Sequence, residues 1–264
     1  MKSAIFRLAL LLGAAVFAQN FVPSALVQTG FAQTARPQST PAAQPALPPT
    51  GLTGFPFSSE SLAYTVNWPS GLSMGEGHLS ATGDPSGWKF ELALDAGIPG
   101  FAVKDTFGSS AGADLCSASL SKDSVHGTRR STETVTIDKA TATATRTTTV
   151  GDKSGGTSKV TVPDCVRDAL TYLFYTRREM GQGRTPPAQQ IIFGALYDVS
   201  LQYAGSETLQ IGTRHYVTDK MVCRVKGPAS DIQFDAYFDR DPARTPVAIR
   251  VPMPIGKISL ELVR

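Results

Sequence analysis

The chain has little with which to do chemistry. Only three histidines and three cysteines occur in its 264 residues. No Cys-x-x-Cys pair is present, which excludes the usual thiol–disulfide oxidoreductase motif. There is no Gly-x-Ser-x-Gly elbow, no phosphate-binding P-loop and no His-Glu-x-x-His, so the familiar hydrolase, nucleotide and zinc-protease signatures are missing. The glycine pairs, such as Gly155-Gly156, precede no helix that could present its N-terminus to a phosphate and read as loop tips. No cofactor is implied.

Charge of one sign is also scarce. The formal charge is +3, and Lys2 and Arg7 fall in a leader-like segment, leaving 23 basic against 22 acidic residues. A near-neutral chain whose strongest basic cluster is Arg129-Arg130 does not read as a nucleic-acid binder. Apolar runs are short. Residues 8–18 are continuously apolar, but Gln19, Asn20 and Pro23 interrupt them, well before the roughly 20 residues a spanning helix needs.

That N-terminus follows the grammar of a secretory leader: Lys2 and Arg7, a short apolar run, then Val16-Phe17-Ala18 before Gln19. A signal peptide over residues 1–18 is expected, with export to the periplasm. An uncleaved anchor is the alternative, since residues 21–27 are also fairly apolar. No cysteine follows the apolar run, so a lipidated form is not expected. Residues 19–56 form a linker whose Pro/Ala/Gln-rich middle cannot bury enough apolar area to offset its chain entropy. One domain then fills residues 57–264.

The domain's dominant signal is alternation. Leu62, Tyr64, Val66 and Trp68 alternate with polar or small residues, as do Trp88, Phe90, Leu92 and Leu94. This is the period of strands with one face to a core and one to water. Phe101, Val103, Asp105 and Phe107 continue it, with Asp105 out of place on a dry face. Residues 131–150 are threonine-rich and predict a solvated hairpin turning at Asp138-Lys139. Further strands are expected over 191–203, 209–213, 215–226, 232–239, 246–251 and 257–263. Ala204-Gly205, Gly227-Pro228 and Asp241-Pro242 read as turns between them.

One stretch breaks the period. Val166, Leu170, Leu173 and Phe174 recur at helical spacing. A helix is expected over 165–179, capped by Asp164 and ended at Gly181 or Gly183. About ten strands and one short helix predict a mainly β fold: a strongly curved antiparallel sheet, or a barrel-like one, with the helix packed on it or plugging it.

Of the cysteines, Cys116 and Cys165 are expected to pair, the oxidising compartment permitting it. Cys223 lies in phase with Met221 and Val225 and reads as a buried free thiol.

Few residues suggest chemistry. His78 and Glu76 share one strand face and could form an acid–base pair or half a metal site, or simply be solvated. Asp235, Asp239 and Asp241 alternate, but no glycine-centred calcium loop accompanies them, and a turn is the plainer reading. No metal site and no catalytic residue is assigned. Arg177, late on the helix, either pairs with a strand carboxylate or meets an anionic head group. Tyr64, Trp68, Trp88, Phe90, Phe101, Phe107, Tyr203, Phe234 and Phe238 are placed on or near the inner face of the sheet, where they either fill a core or line a hollow. Arg177, Trp68, Trp88 and Phe101 are the ligand-binding candidates.

The order of short motifs resembles domain-of-unknown-function family 3108. Glu60-Ser61-Leu62-Ala63-Tyr64 opens the domain and Met74-Gly75-Glu76-Gly77 follows. Residues 162–170 then run into Leu173-Phe174-Tyr175-Thr176-Arg177. Ala236-Tyr237-Phe238-Asp239-Arg240-Asp241, Arg244-Thr245-Pro246-Val247 and Pro254-Ile255-Gly256 complete the likeness, with Phe238 where the resemblance implies tryptophan. It implies an exported, mostly β protein without an assigned activity, and it supplies no catalytic residues. The expected function is therefore a non-enzymatic binding or carrier protein of the bacterial cell envelope, its ligand a lipid or other apolar molecule. The alternative is an assembly factor that binds another envelope protein, and behind both stands a hydrolase built around His78 or Asp239.

Overall fold

The computed structural model describes residues 55–98, 100–228, 230–253 and 256–263. The expected signal peptide and nearly all of the expected linker lie outside them. Fifteen strands form one sheet in the order β8-β7-β6-β5-β4-β3-β2-β1-β15-β14-β13-β12-β11-β10-β9. Two meanders therefore meet where β1 (Ser59–Asn67) pairs antiparallel with β15 (Gly256–Leu262).

The first meander runs through β2 (Ser73–Asp84), β3 (Gly87–Ile98), β4 (Phe101–Ala111), β5 (Ser117–His126), β6 (Arg129–Asp138), β7 (Thr143–Val150) and β8 (Lys153–Thr161). The second runs through β10 (Gln189–Phe193), β11 (Ala195–Ile211), β12 (Arg214–Gly227), β13 (Ser230–Asp239) and β14 (Pro246–Met253). β9 (Arg167–Asp168) pairs parallel with β10. Parallel neighbours need a crossover, and here it contains helix α1 (Ala169–Gly181).

The alternation read from the sequence holds. Along β1, Leu62, Tyr64 and Val66 are buried and their neighbours are not. Along β4, Val103, Asp105, Phe107, Ser109 and Ala111 all face inward. Asp105, odd on that face, is answered by His126, whose Nε2 lies 2.9 and 3.0 Å from its two carboxylate oxygens. The threonine-rich hairpin is β6–β7, and Asp138 closes its turn by accepting from Ala140 N and the Thr141 hydroxyl.

Several expectations need correcting. The strand expected over 191–203 is two strands, with Phe193 paired to Ala195 across Gly194, whose φ of +70° suits glycine. Ala204-Gly205 makes no turn between strands. It is a bulge inside β11, where the register shifts between Tyr203 and Ser206. Tyr203 is exposed rather than on the inner face. Residues 155–156 belong to β8 rather than a loop tip. The helix starts later than expected and its cap is Asp168, not the exposed Asp164. The reason is the β9–β10 pairing, which holds residues 167–168 extended before a helix can begin. Asp168 accepts from Leu170 N and Thr171 N, and Thr171 reciprocates in a capping box.

The sheet curls until its β9 end returns to β5, where Ser117 N donates to Val166 O at 3.0 Å. The Cys116–Cys165 disulfide fastens the same junction, with its Cα atoms 4.6 Å apart. Beyond it, Leu120, Val135 and Ala144 of β5–β7 pack on Val166 and Ile192. No hydrogen-bonded ladder closes the sheet among the described residues.

Helix α1 plugs the curl. Leu170, Thr171, Tyr172, Phe174, Thr176, Arg177 and Met180 are all buried, as expected for a helix enclosed on every side. Phe174 stacks on Phe90 at 4.2 Å between centroids and meets Phe55 edge-on at 5.9 Å. Phe55, which the sequence places in the linker, lies in the core beside Trp88. Burying an aromatic side chain of this size contributes about 2–3 kcal/mol.

Candidate functional site

On its other side α1 meets the second meander through Tyr172, packed with Ile191 and Val199, and Met180, packed with Ala236 and Phe238. Between Leu173 and Thr176 of the helix and the inner faces of β3 and β10–β15 lies a cavity of about 230 Å³. Strand β13 lines it with Ile232, Phe234, Ala236 and Phe238, every second residue, as the pleat requires. Val199 and Leu201 of β11, Cys223 and Val225 of β12, and Ile249 and Val251 of β14 form the rest of that wall. Leu92 and Leu94 of β3 face them. Phe193, Leu201, Phe234 and Leu260 line the hollow and are only half-buried. No charged side chain lines it among the described residues.

Five polar side chains interrupt this wall: Tyr172, Thr176, Tyr197, Cys223 and Ser230. Tyr172 and Thr176, one turn apart on α1, both line the cavity and are 6% and 2% exposed. Their hydroxyl oxygens are buried and lie close enough to each other to interact. The Cys223 thiol has its pKa pushed up to about 12 by burial. It is protonated at neutral pH and unsuited to nucleophilic work. Burial likewise raises the Tyr172 pKa, so its hydroxyl stays a donor.

A charged patch borders the cavity on the inner face of β5–β7. The Lys122 ammonium lies 5.4 Å from the Phe107 ring centre and 6.0 Å from that of Phe193, which itself lines the cavity. Burial lowers the Lys122 pKa, against the opposing pull of Asp105 and Glu133. Glu133 in turn pairs with Arg146 at 2.5 Å.

The ligand-binding candidates taken from sequence do not line the cavity. Arg177 is fully engaged: its guanidinium grips Glu60 and its Nε donates to Ala243 O at 3.0 Å. Trp88 belongs to the core on the far side of α1. Trp68 packs with Val66 and Ile258, and Phe101 sits against Gly127 at the β4–β5 end. Of the nine aromatics expected on the inner face, Phe234 and Phe238 line the hollow, while Tyr64, Trp88, Phe90 and Phe107 fill core.

Other candidates are placed apart. Glu76 and His78 do share a face of β2, and it is the exposed one. Asp235 pairs with Lys220 at 3.0 Å. Asp241 accepts from Thr245 N and Oγ1, completing the expected turn. The cavity residues themselves were mostly visible as apolar strand positions, but nothing in their alternation distinguishes a hollow from a filled core. Tyr172 and Thr176 carried an i, i+4 signal that their polar character could have raised.

No helix among the described residues is long and apolar enough to cross a membrane. A curved antiparallel sheet wrapped on one helix around an apolar hollow defines a β-barrel-like protein. The chain belongs to the family described as Protein of unknown function (DUF3108), which it matches over residues 63–263. No curated protein matches it. Among solved structures it is similar to a beta-barrel-like protein of domain of unknown function DUF1849 from Brucella abortus. The TM-score is 0.55 at 5% identity, over 77% of this chain and 95% of that one. At that identity the likeness shows the fold alone.

Proposed function

We propose that the protein is an exported, non-enzymatic binding or carrier module of the bacterial cell envelope that holds an apolar small molecule between α1 and the second meander. The carrying observation is the uncharged cavity of about 230 Å³. Small-molecule sites are concave, mostly apolar and supplied with a few polar groups, and a void of this kind left empty forfeits packing contacts. The leader-like N-terminus supports export, and a lipid-like molecule is the natural apolar ligand of an envelope.

Native mass spectrometry of protein isolated from its own envelope tests the reading. A bound apolar species, and a rise in melting temperature with apolar additives, are expected. A ligand-free spectrum together with no thermal shift for any additive overturns it.

One observation favours a second reading, that of an assembly factor. Strand β8 is exposed at every residue and forms one end of the open sheet. Such an edge can add a strand from another envelope protein. A stable complex mapped by crosslinks to residues 153–161 supports that reading, and crosslinks confined elsewhere remove it.

A further inference from the structure

Lys122 stands apart from the other lysines. Among the described residues two lysines are half-buried, Lys122 and Lys220. Lys220 is answered by Asp235 at 3.0 Å. Lys122 makes no hydrogen bond and joins no ion pair among the described residues. We propose that Lys122 captures a small apolar aldehyde as an imine, with the Phe107 and Phe193 rings receiving its hydrocarbon part. Capture there does not require the hollow to be filled, so it stands apart from the binding reading.

The fold places the amine among these rings. Lys122 is in phase with the buried Leu120 and Ser124 along β5, so it lies on the inner face. Its partner across the ladder is Phe107 of β4, whose own partner on β3 is Leu92, on the wall of the hollow. The ammonium stands 5.4 Å from the Phe107 ring centre and 6.0 Å from that of Phe193, and the two rings are 5.7 Å apart. Amine and rings thus form one compact group beside the hollow. Its charged neighbours are Asp105 of β4, Glu133 of β6 and Arg146 of β7, and His126 of β5 is bonded to Asp105. Two cations face two carboxylates, so the group offers an added anion little net attraction. A neutral carbonyl meets no such opposition.

Burial lowers the Lys122 pKa against the pull of Asp105 and Glu133, and Arg146 adds to the lowering. More of the amine is therefore free at a given pH than on an exposed lysine. Once the ammonium has released one proton to solvent, the nitrogen lone pair attacks the carbonyl carbon. The two remaining N–H protons leave with the carbonyl oxygen as water, and a carbon–nitrogen double bond remains. No oxidant or reductant takes part. A hydrocarbon tail on the aldehyde rests against the rings rather than in water, which favours the apolar members of the class.

Reductive trapping tests this. The full chain is incubated at pH 8 with 3-phenylpropanal and sodium cyanoborohydride, and labelling of each lysine is followed by peptide mass spectrometry. Lys122 should be labelled at least about tenfold faster than the exposed lysines, and its rate should level off at lower pH than theirs. The preference should vanish in concentrated urea, and Lys122→Arg should abolish the fast labelling. Glyoxylate, an aldehyde carrying a carboxylate, should show no preference for Lys122.

Equal labelling of Lys122 and the exposed lysines in the folded chain overturns the proposal. So does fast labelling by glyoxylate, which would make Lys122 an open amine without apolar selection. Protection of Lys122 by phenylbutyrate but not by butylbenzene overturns it too, since the amine would then serve an anion. None of these outcomes touches the binding reading, which stands or falls on a bound apolar species and on thermal shifts with apolar additives.

Discussion

Arg177 and Glu60, 117 residues apart in sequence, meet in a two-pronged ion pair, Nη1 to Oε2 at 2.6 Å and Nη2 to Oε1 at 2.7 Å. The arginine side chain is wholly buried and the glutamate 11% exposed. The pair ties the end of the plugging helix to the first strand, and the Phe174 ring lies 4.7 Å beneath the guanidinium. Breaking a buried pair leaves a charge stranded and typically costs about 3–5 kcal/mol. Glu60→Gln and Arg177→Met should each lower stability by about that amount in urea titrations. The double change Glu60→Leu with Arg177→Met should recover much of it. Single changes that cost less than about 1 kcal/mol would show the pair to be dispensable.

Asp219 holds Arg244, whose carbonyl Arg177 also contacts, and gives stability a pH dependence. Its carboxylate accepts from Arg240 and Arg244, each at 2.8 Å, and from the Ser206 hydroxyl at 3.0 Å. Burial pushes its pKa up, but the hydrogen bonds and charges of these partners outweigh it and the net shift is downward from 3.8. A lowered folded-state value means that the unfolded chain takes up the proton first as pH falls. The contribution is therefore fully present above about pH 4 and is lost below it. Asp219→Asn should flatten the acid side of the stability profile below about pH 4, measured by urea unfolding at a series of pH values. A mutant profile parallel to the parent's would contradict this.

The Cys116–Cys165 bond closes a loop of 49 residues in the unfolded chain. In the chain-entropy treatment that is worth about 4 kcal/mol. Changing both cysteines to alanine should lower the urea midpoint accordingly, and reducing agent should have the same effect on the parent and none on the variant. The pair also holds β9 against the β4–β5 junction, so amide exchange should rise first at residues 166–168 when it is absent.

Filling the hollow should separate binding from folding. Ile232 lines the cavity and is half-buried, so Ile232→Trp adds volume where there is room for it. Binding of an apolar dye should fall at least about tenfold while the urea midpoint changes by less than about 1 kcal/mol equivalent. Unimpaired dye binding would place the dye elsewhere.

How much of this was written locally differs from residue to residue. Leu62, Tyr64 and Val66 declare an inward face by alternation alone, because the pleat imposes that period on any strand. Asp138 declares its turn for a similar reason, since its carboxylate bonds to the backbone two residues on. Asp164 and Asp168 are equally good caps by type. Only the pairing of residues 167–168 with 191–192 chooses between them. Ala204-Gly205 has the composition of a turn, yet the β12 partner continues past it, so it becomes a bulge. Arg177 offered two readings, and a carboxylate 117 residues away selects one.

The sequence by itself determined that the described chain would be a curved sheet with one inserted helix, and which faces of β1, β3 and β4 would turn inward. Those outcomes depend on neighbours within a few residues. Whether the inner face met itself or left a space was decided only by tertiary structure. That depends on how far the sheet curls before β9 reaches β5, and on where Phe90 and Glu60 hold α1. The hollow between α1 and the second meander follows from that packing.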